Sequence, residues 1–270
     1  MKAIKVFIGL ITTSFILFSF TIVKVQNNDD KVKNDLSELK LLGKVKMLII
    51  TDGVSKDTML FNEKGNKIEE NHYNLNGIVN KYTYKYDEKG NKIEKNEYLL
   101  NNFNQKETYK YDYKGNKVEM NLYKSDGKLI SKSVYNYDDK GNIIEDSIYN
   151  SDNSINNKTI YKYDNKRNII ERNYHSNTSG DSYYVTEKYK YDDNGNMIKL
   201  NNHNFYMQTK HTITFKYDKK GNMIELNYSG DGDGGSFKEN YKYDYDKTGN
   251  WIKNIEIASK NITEREIKYY

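Results

Sequence analysis

Residues Tyr84-Lys85-Tyr86-Asp87-Glu88-Lys89-Gly90-Asn91-Lys92-Ile93 decide the fold. Tyrosines at alternate positions fall on one face of an extended chain. Asp87 can take backbone N–H groups on its carboxylate, and Gly90 turns left-handed without a Cβ clash. The stretch therefore reads as one arm of a hairpin (Tyr82 to Tyr86), a tight turn (Asp87 to Gly90) and a second arm from about Asn91 to Tyr98.

The same stretch recurs along the chain. Its glycine position is filled by Gly65, Gly90, Gly115, Gly141, Arg167, Gly195, Gly221 and Gly249, at spacings of 25, 25, 26, 26, 28, 26 and 28. Asparagine follows in every copy, from Asn66 and Asn91 to Asn250. Three places after the glycine stands a β-branched residue, from Ile68, Ile93 and Val118 to Ile252. Four places before it stands Phe61 in the first copy and tyrosine in all the others, from Tyr86 to Tyr245. The structural repeat is thus carried by Tyr86, Asp87, Gly90, Asn91 and Ile93, then by Tyr111, Asp112, Gly115, Asn116 and Val118, and so on. Arg167 departs from it. A non-glycine residue in left-handed geometry costs about 1 kcal/mol, so Arg167→Gly is expected to stabilise the chain.

With a four-residue loop, Tyr86 pairs with Asn91 and Tyr84 with Ile93. That register gives one Tyr/Ile face and one Lys/Glu/Asn face, whereas a shift by one residue mixes them. The expected fold is all-β: about eight tandem β-hairpin units of about 26 residues in one long antiparallel sheet. Sixteen strands laid flat at ~4.8 Å would extend roughly 75 Å with an apolar side open to water. A coiled or spiral sheet relieves this, because each repeat imposes the same rotation on the next.

Outside the array, residues 1–26 hold a short basic start, an uncharged run from Val6 to Val23, and then Lys24. This is the layout of a signal peptide, or of an uncleaved N-terminal anchor. Residues 27–43 form a polar lead in which Val32, Leu36, Leu39 and Leu42 suit a short helix between Asp29 and Leu42, expected to cap the sheet's exposed edge. Residues 44–270 are the array, opening with a strand at Lys44 to Ile50 and closing with strands at Trp251 to Ile257 and Glu264 to Tyr270.

Composition narrows the function. The chain has 27 tyrosines and neither proline nor cysteine, with a mean hydropathy of -0.98. Disordered chains are proline-rich and aromatic-poor, so this one folds around tyrosine. Without cysteine, disulfides, thiolate metal sites and a thiol nucleophile are excluded. The net charge of +5 falls to +2 once the first 26 residues are set aside. Lysine and glutamate alternate instead of forming the basic face that a nucleic-acid binder shows.

The Tyr84-Lys85-Tyr86-Asp87 and Gly90-Asn91 pattern, with its equivalents at Tyr109, Tyr135, Tyr161, Tyr189 and Tyr243, resembles the YD repeat of the Rhs/teneurin family over about residues 59 to 257. The resemblance implies a β-sheet strip that spirals into a hollow shell, and an association with carbohydrate binding, cell-surface contact or toxin encapsulation. Two features depart from that family: its units are nearer 21 residues, and its proteins are much longer.

No nucleophile elbow, phosphate loop or zinc signature occurs. The repeat glutamates (Glu69, Glu94, Glu119, Glu145, Glu171 and Glu225) read as partners for neighbouring lysines, and His72, His175, His203 and His211 as surface groups or tyrosine substitutes. Asp231 and Asp233 in a glycine-rich loop are weak calcium candidates, since Lys242 stands where an EF-hand would need glutamate. No cofactor is expected. A second set of aromatics, Tyr73, Tyr98, Tyr123 and Tyr149, falls by parity on the Lys/Glu face as a candidate ligand-binding stripe. The chain is expected to be a non-enzymatic, exported protein that binds at the cell surface or in the periplasm. Its expected partner is a polysaccharide or a surface protein, with membrane contact only through an uncleaved N-terminal segment. The alternative is a structural or protein-interaction module related to Rhs-type shells or their partner proteins.

Overall fold

Alternating tyrosines and left-handed glycines at a constant period build a single sheet. A computed structural model describes residues 34–178, 181–231 and 235–270. The signal or anchor expected at 1–26 and the start of the polar lead lie outside them. A one-turn helix, α1 (Asp35–Glu38), is followed by eighteen antiparallel strands. The first six are β1 (Val45–Thr51), β2 (Lys56–Phe61), β3 (Lys67–Asn74), β4 (Gly77–Tyr86), β5 (Lys92–Leu99) and β6 (Asn102–Tyr111). Then come β7 (Lys117–Lys124), β8 (Leu129–Tyr137), β9 (Ile143–Asn150), β10 (Ile155–Tyr163), β11 (Ile169–Thr178) and β12 (Asp181–Tyr191). The last six are β13 (Met197–Asn204), β14 (Thr209–Tyr217), β15 (Met223–Gly230), β16 (Ser236–Tyr245), β17 (Trp251–Glu256) and β18 (Ile262–Tyr269).

Each strand pairs with the next, and β18 pairs with β1 from Val45↔Tyr269 to Thr51↔Glu264. The sheet is therefore a closed barrel, which corrects the expectation of a coiled or spiral strip. Closure removes both edges; a spiral would leave the apolar β1, Met47-Leu48-Ile49-Ile50, unpaired on one side. Eighteen strands at ~4.8 Å with ordinary tilt give a diameter of roughly 35 Å, wide enough for a lumen.

The backbone of the tight turns closes in the same way throughout. Asp87 Oδ1 accepts the Asn91 N–H at 2.8 Å, while the Asn91 side chain donates to Asp87 Oδ2 at 2.8 Å. Backbone bonds from Asp87 N to Asn91 O and from Gly90 N to Asp87 O complete the loop. The same Asp/Asn clamp recurs at Asp112/Asn116, Asp138/Asn142, Asp164/Asn168 and Asp192/Asn196. Gly90 has φ +86° and Arg167 φ +68°, so the arginine does occupy the left-handed position. It offsets that strain by reaching the preceding turn, where Nε donates to Asn142 Oδ1 at 2.9 Å and Nη2 to Lys140 O.

The register differs from the even one expected. Tyr84 pairs with Lys95 and Lys85 with Glu94, but Tyr86 pairs with Lys92, so Ile93 is the extra residue of a β-bulge. The bulge turns Lys92 inward beside Tyr84 and Tyr86 and leaves Ile93 39% exposed on the outer face. It repeats at every tight turn, placing Ile68, Ile144, Ile170, Ile198 and Ile224 outside as well. The predicted Tyr/Ile face is thus a Tyr/Lys face in the first three units. From Ile143 onward the inward residue after the turn is apolar: Ile143, Ile169, Met197, Met223 and Trp251.

Apolar packing follows this division. Ile169, Tyr189, Met197, Ile213, Phe215 and Leu226 form one buried cluster along the inner wall. In the other, Leu36 of α1 and Leu41 just after it meet Val45, Leu48, Met59 and Phe61. Asn34 caps α1 in a capping box with Ser37. The Leu36 N–H donates to Gly65 O, and Asn250 holds Leu42 through both its N–H and its carbonyl. The helix therefore sits within the tight-turn end of the barrel and does not cover a sheet edge, because no edge remains for it to cap.

Candidate functional site

Three environments follow from the bulged register: the lumen, the outer belt, and the outer rim away from the tight turns.

In the lumen, many polar groups satisfy one another. Glu70, 5% exposed, takes Lys67 at 2.5 Å and the Tyr84 hydroxyl at 2.7 Å. Asp35 takes the Tyr86 hydroxyl at 2.7 Å, the Lys67 N–H at 2.6 Å and Lys92 at 3.2 Å. Burial pushes the Asp35 carboxyl up, but Lys92 and these donors outweigh it and hold the pKa below the usual range. Further round, Lys95 meets Glu107 at 2.9 Å, the Tyr161 hydroxyl meets Asp146 at 2.6 Å, and Arg172 meets Glu187 at 2.7 Å. Lysines also lie over rings, with Lys92 4.9 Å from the Tyr84 centroid and Lys117 4.4 Å from that of Tyr135. Burial lowers the Lys117 pKa.

His72 belongs to this wall and not to the surface. Its Nδ1 lies 2.6 Å from Asp57 Oδ1 and its Nε2 3.6 Å from Glu70. The bond to Asp57 raises its pKa, against a smaller opposing effect of burial. His211 also faces inward, stacked on Tyr228. The sequence signal for both was available: they stand at positions whose cross-strand partners are inward-facing.

Around the outer face, on the tight-turn side, runs a belt of ion pairs. Each repeat glutamate meets lysine there: Glu69–Lys81, Glu94–Lys85, Glu145–Lys158 and Glu171–Lys162, with Glu119 and Glu225 each held between two lysines. Hydrogen bonding from Lys110 lowers Glu119 to about 2, and bonding from Lys216 lowers Glu225 to about 2. A barrel that crosses a bilayer shows lipid an apolar band about 25 Å tall. The ion pairs of this outer face interrupt any such band.

Tyr73, Tyr98, Tyr123 and Tyr149 lie on the outer face, opposite Lys56, Lys81, Lys106 and Lys132. Successive members are two strands apart, about 10 Å. The structure adds what parity alone did not show, an aromatic or aliphatic partner on the adjoining strand. Tyr98 meets Phe103 at 5.7 Å between centroids, Tyr73 pairs with Ile78, Tyr123 with Leu129 and Tyr149 with Ile155. His175 continues the stripe, stacked on Tyr184 at 4.2 Å and 8°, and His203 lies 3.9 Å from Phe205. Here the rim deepens into a mainly apolar groove floored by Ile160, His175, Tyr184 and Phe205, with Lys158, Asn173 and Thr186 beside it. Tyr184 and Phe205 stand in the variable segments between repeats, which is why the repeat pattern did not single them out.

Asp231 is exposed, and its N–H donates to Lys210 O. Asp233 lies outside the described residues. Among the described residues no group of three or more His, Asp or Glu side chains is placed to hold a metal.

No family model and no curated protein match the chain. Solved structures do. A complex of TcdB2-TccC3 with Cdc42 matches at 16% identity and TM-score 0.42, over 79% of this chain and 13% of that one. The Tc holotoxin pore of Photorhabdus luminescens matches at 14% and 0.36, over 75% and 15%. A porin-like protein from Bacteroides uniformis matches at 9% and 0.45, over 83% of this chain and 98% of that one. This chain therefore spans only a small part of the toxin proteins it is similar to.

Proposed function

We propose that the barrel is a non-enzymatic binding module that acts outside the cytoplasm and takes a carbohydrate chain along its outer aromatic rim. The observation that carries this is the groove at His175, Tyr184 and Phe205, where Tyr184 is 49% and Phe205 50% exposed. Flat rings open to water suit the apolar faces of pyranoses. Lys158, Asn173 and Thr186 at the margin offer hydrogen-bonding groups for the hydroxyls. The stripe from Tyr73 to Tyr149 repeats the same chemistry along the rim. A longer glycan thus meets several equivalent contacts and gains avidity from them.

The test is a glycan array probed with the purified chain and with Tyr184→Ala. Binding to a defined polymer, weakened at least about tenfold by the substitution at unchanged far-UV circular dichroism, supports the reading. A folded chain that binds no glycan contradicts it and leaves the protein-interaction module as the working reading.

A further inference from the structure

Nearly every buried charge in the lumen has a counter-charge; Arg265 is an exception. It points inward from the middle of β18, opposite Ile50 of β1 and beside Trp251 of β17. Its guanidinium carbon lies 3.4 Å from the Trp251 ring, and Tyr243 meets the same indole edge-on at 5.9 Å. Among the described residues no carboxylate pairs with it, and its Nε is buried without a hydrogen-bond partner. Buried arginines ordinarily have a counter-charge, as Arg172 has in Glu187 at 2.7 Å, although its Nε, too, is out of line for a hydrogen bond. Burial lowers the Arg265 pKa to about 9, an effect Tyr243 only partly opposes.

The adjoining position carries the complementary deficit. Asn254 on β17 faces the lumen between Tyr243 and Thr263, and Thr263 precedes Arg265 by two residues on the same face of β18. Asn254 Oδ1 is a buried acceptor without a donor. The wall thus holds a guanidinium without a carboxylate and, about 7 Å along the strand, an amide oxygen without a donor. The indole holds the guanidinium flat, so little freedom is lost when it is engaged.

We propose that Arg265, Asn254 and Trp251 form a lumenal binding site for a hydroxyl-bearing carboxylate, of the class to which uronic acids belong. The carboxylate takes the guanidinium through paired N–H···O bonds, and the hydroxyl donates to Asn254 Oδ1. The site is on the inner wall and stands independently of the outer rim.

Trp251 is the only tryptophan, so its emission reports on this site alone. The experiment titrates the full chain with glucuronate at constant ionic strength, with glucose and inorganic phosphate as comparison ligands. The expected result is a saturable emission change with glucuronate and none with glucose, with affinity at least about tenfold weaker in Arg265→Met and also weaker in Asn254→Ala. Arg265→Met is expected to keep or raise the urea midpoint, because replacing an uncompensated buried charge with an apolar side chain of similar length is neutral or stabilising. If Arg265→Met does not fold, Asn254→Ala carries the test. No saturable change in folded protein, equal affinity in the variants, or an equal response to phosphate or glucose would overturn the proposal.

Discussion

The Tyr111 hydroxyl donates to the Lys92 carbonyl at 2.7 Å. That bond links one hairpin to the next where the ladder between β5 and β6 has ended, since their pairing begins at Glu94↔Thr108. The bulge at Ile93 leaves Lys92 O without a strand partner, and the next unit supplies one. The arrangement recurs from Tyr86 to Lys67 O, Tyr137 to Lys117 O, Tyr163 to Ile143 O, Tyr191 to Ile169 O and Tyr217 to Met197 O. It explains why the position needs a hydroxyl and not merely a ring. Phe61, at the same position of the first unit, has no hydroxyl: there the ladder between β1 and β2 runs on to Met47↔Leu60, and Phe61 is 2% exposed in apolar packing. Tyr111→Phe, which orphans a part-buried carbonyl, is expected to cost about 1–2 kcal/mol in urea unfolding. Phe61→Tyr is expected to destabilise as well, by burying an unpaired hydroxyl.

Arg167→Gly is expected to leave the urea midpoint unchanged or slightly lower. Relief of left-handed strain gives back about 1 kcal/mol. The bonds from Arg167 to Asn142 and Lys140 are lost, at about 0.5–1.5 kcal/mol each. Arg167→Ala keeps the strain and loses the bonds, so it should fall below the glycine variant. A glycine variant clearly more stable than wild type would show that the contacts to the preceding turn contribute nothing.

These two cases show what the sequence made legible. The period, the Asp/Asn/Gly turn and the alternation of tyrosines were all readable, because each rests on local backbone geometry. The bulge was not. Lys92 and Ile93 are both plausible inward residues by composition, and the extra residue exchanges only those two, leaving Glu94 and Tyr98 on the outer face where parity placed them. Yet a signal existed in the change from Lys67, Lys92 and Lys117 to Ile143, Ile169, Met197, Met223 and Trp251, which is hard to reconcile with an outer, solvated position. Closure depends on summed twist over eighteen strands and leaves almost no mark on a single unit. The apolar β1, unsuited to an edge, was its best trace. For the candidate site, parity placed Tyr73, Tyr98, Tyr123 and Tyr149 outside, but Tyr184, Phe205 and Phe103 lie in segments where the repeat lapses.

Stability should depend on pH at two places. The His72 pKa is raised in the fold, chiefly by its bond to Asp57. Its stabilising contribution is therefore full below the unfolded value of about 6.5 and is lost as pH rises through the higher folded value. Glu119 and Glu225 are lowered to about 2, so their contribution is present above about 4.5 and is lost as pH falls through about 2. Urea midpoints measured across pH should decline on both sides. His72→Gln should flatten the decline above pH 6.5 alone, and an unchanged profile there would remove His72 from the account.

Closure of the barrel is the central claim, and the absence of cysteine from the chain makes a direct test possible. Ile49 and Glu266 are paired across β1 and β18 and both face outward. Directly opposed residues lie within the range a disulfide spans. In the double variant Ile49→Cys/Glu266→Cys, mild oxidation is predicted to give a monomeric, internally cross-linked chain in near-quantitative yield, seen as faster migration without reductant. An open or spiral strip would hold these strands at opposite ends of the molecule. Free thiols or intermolecular dimers in a folded sample would contradict the barrel.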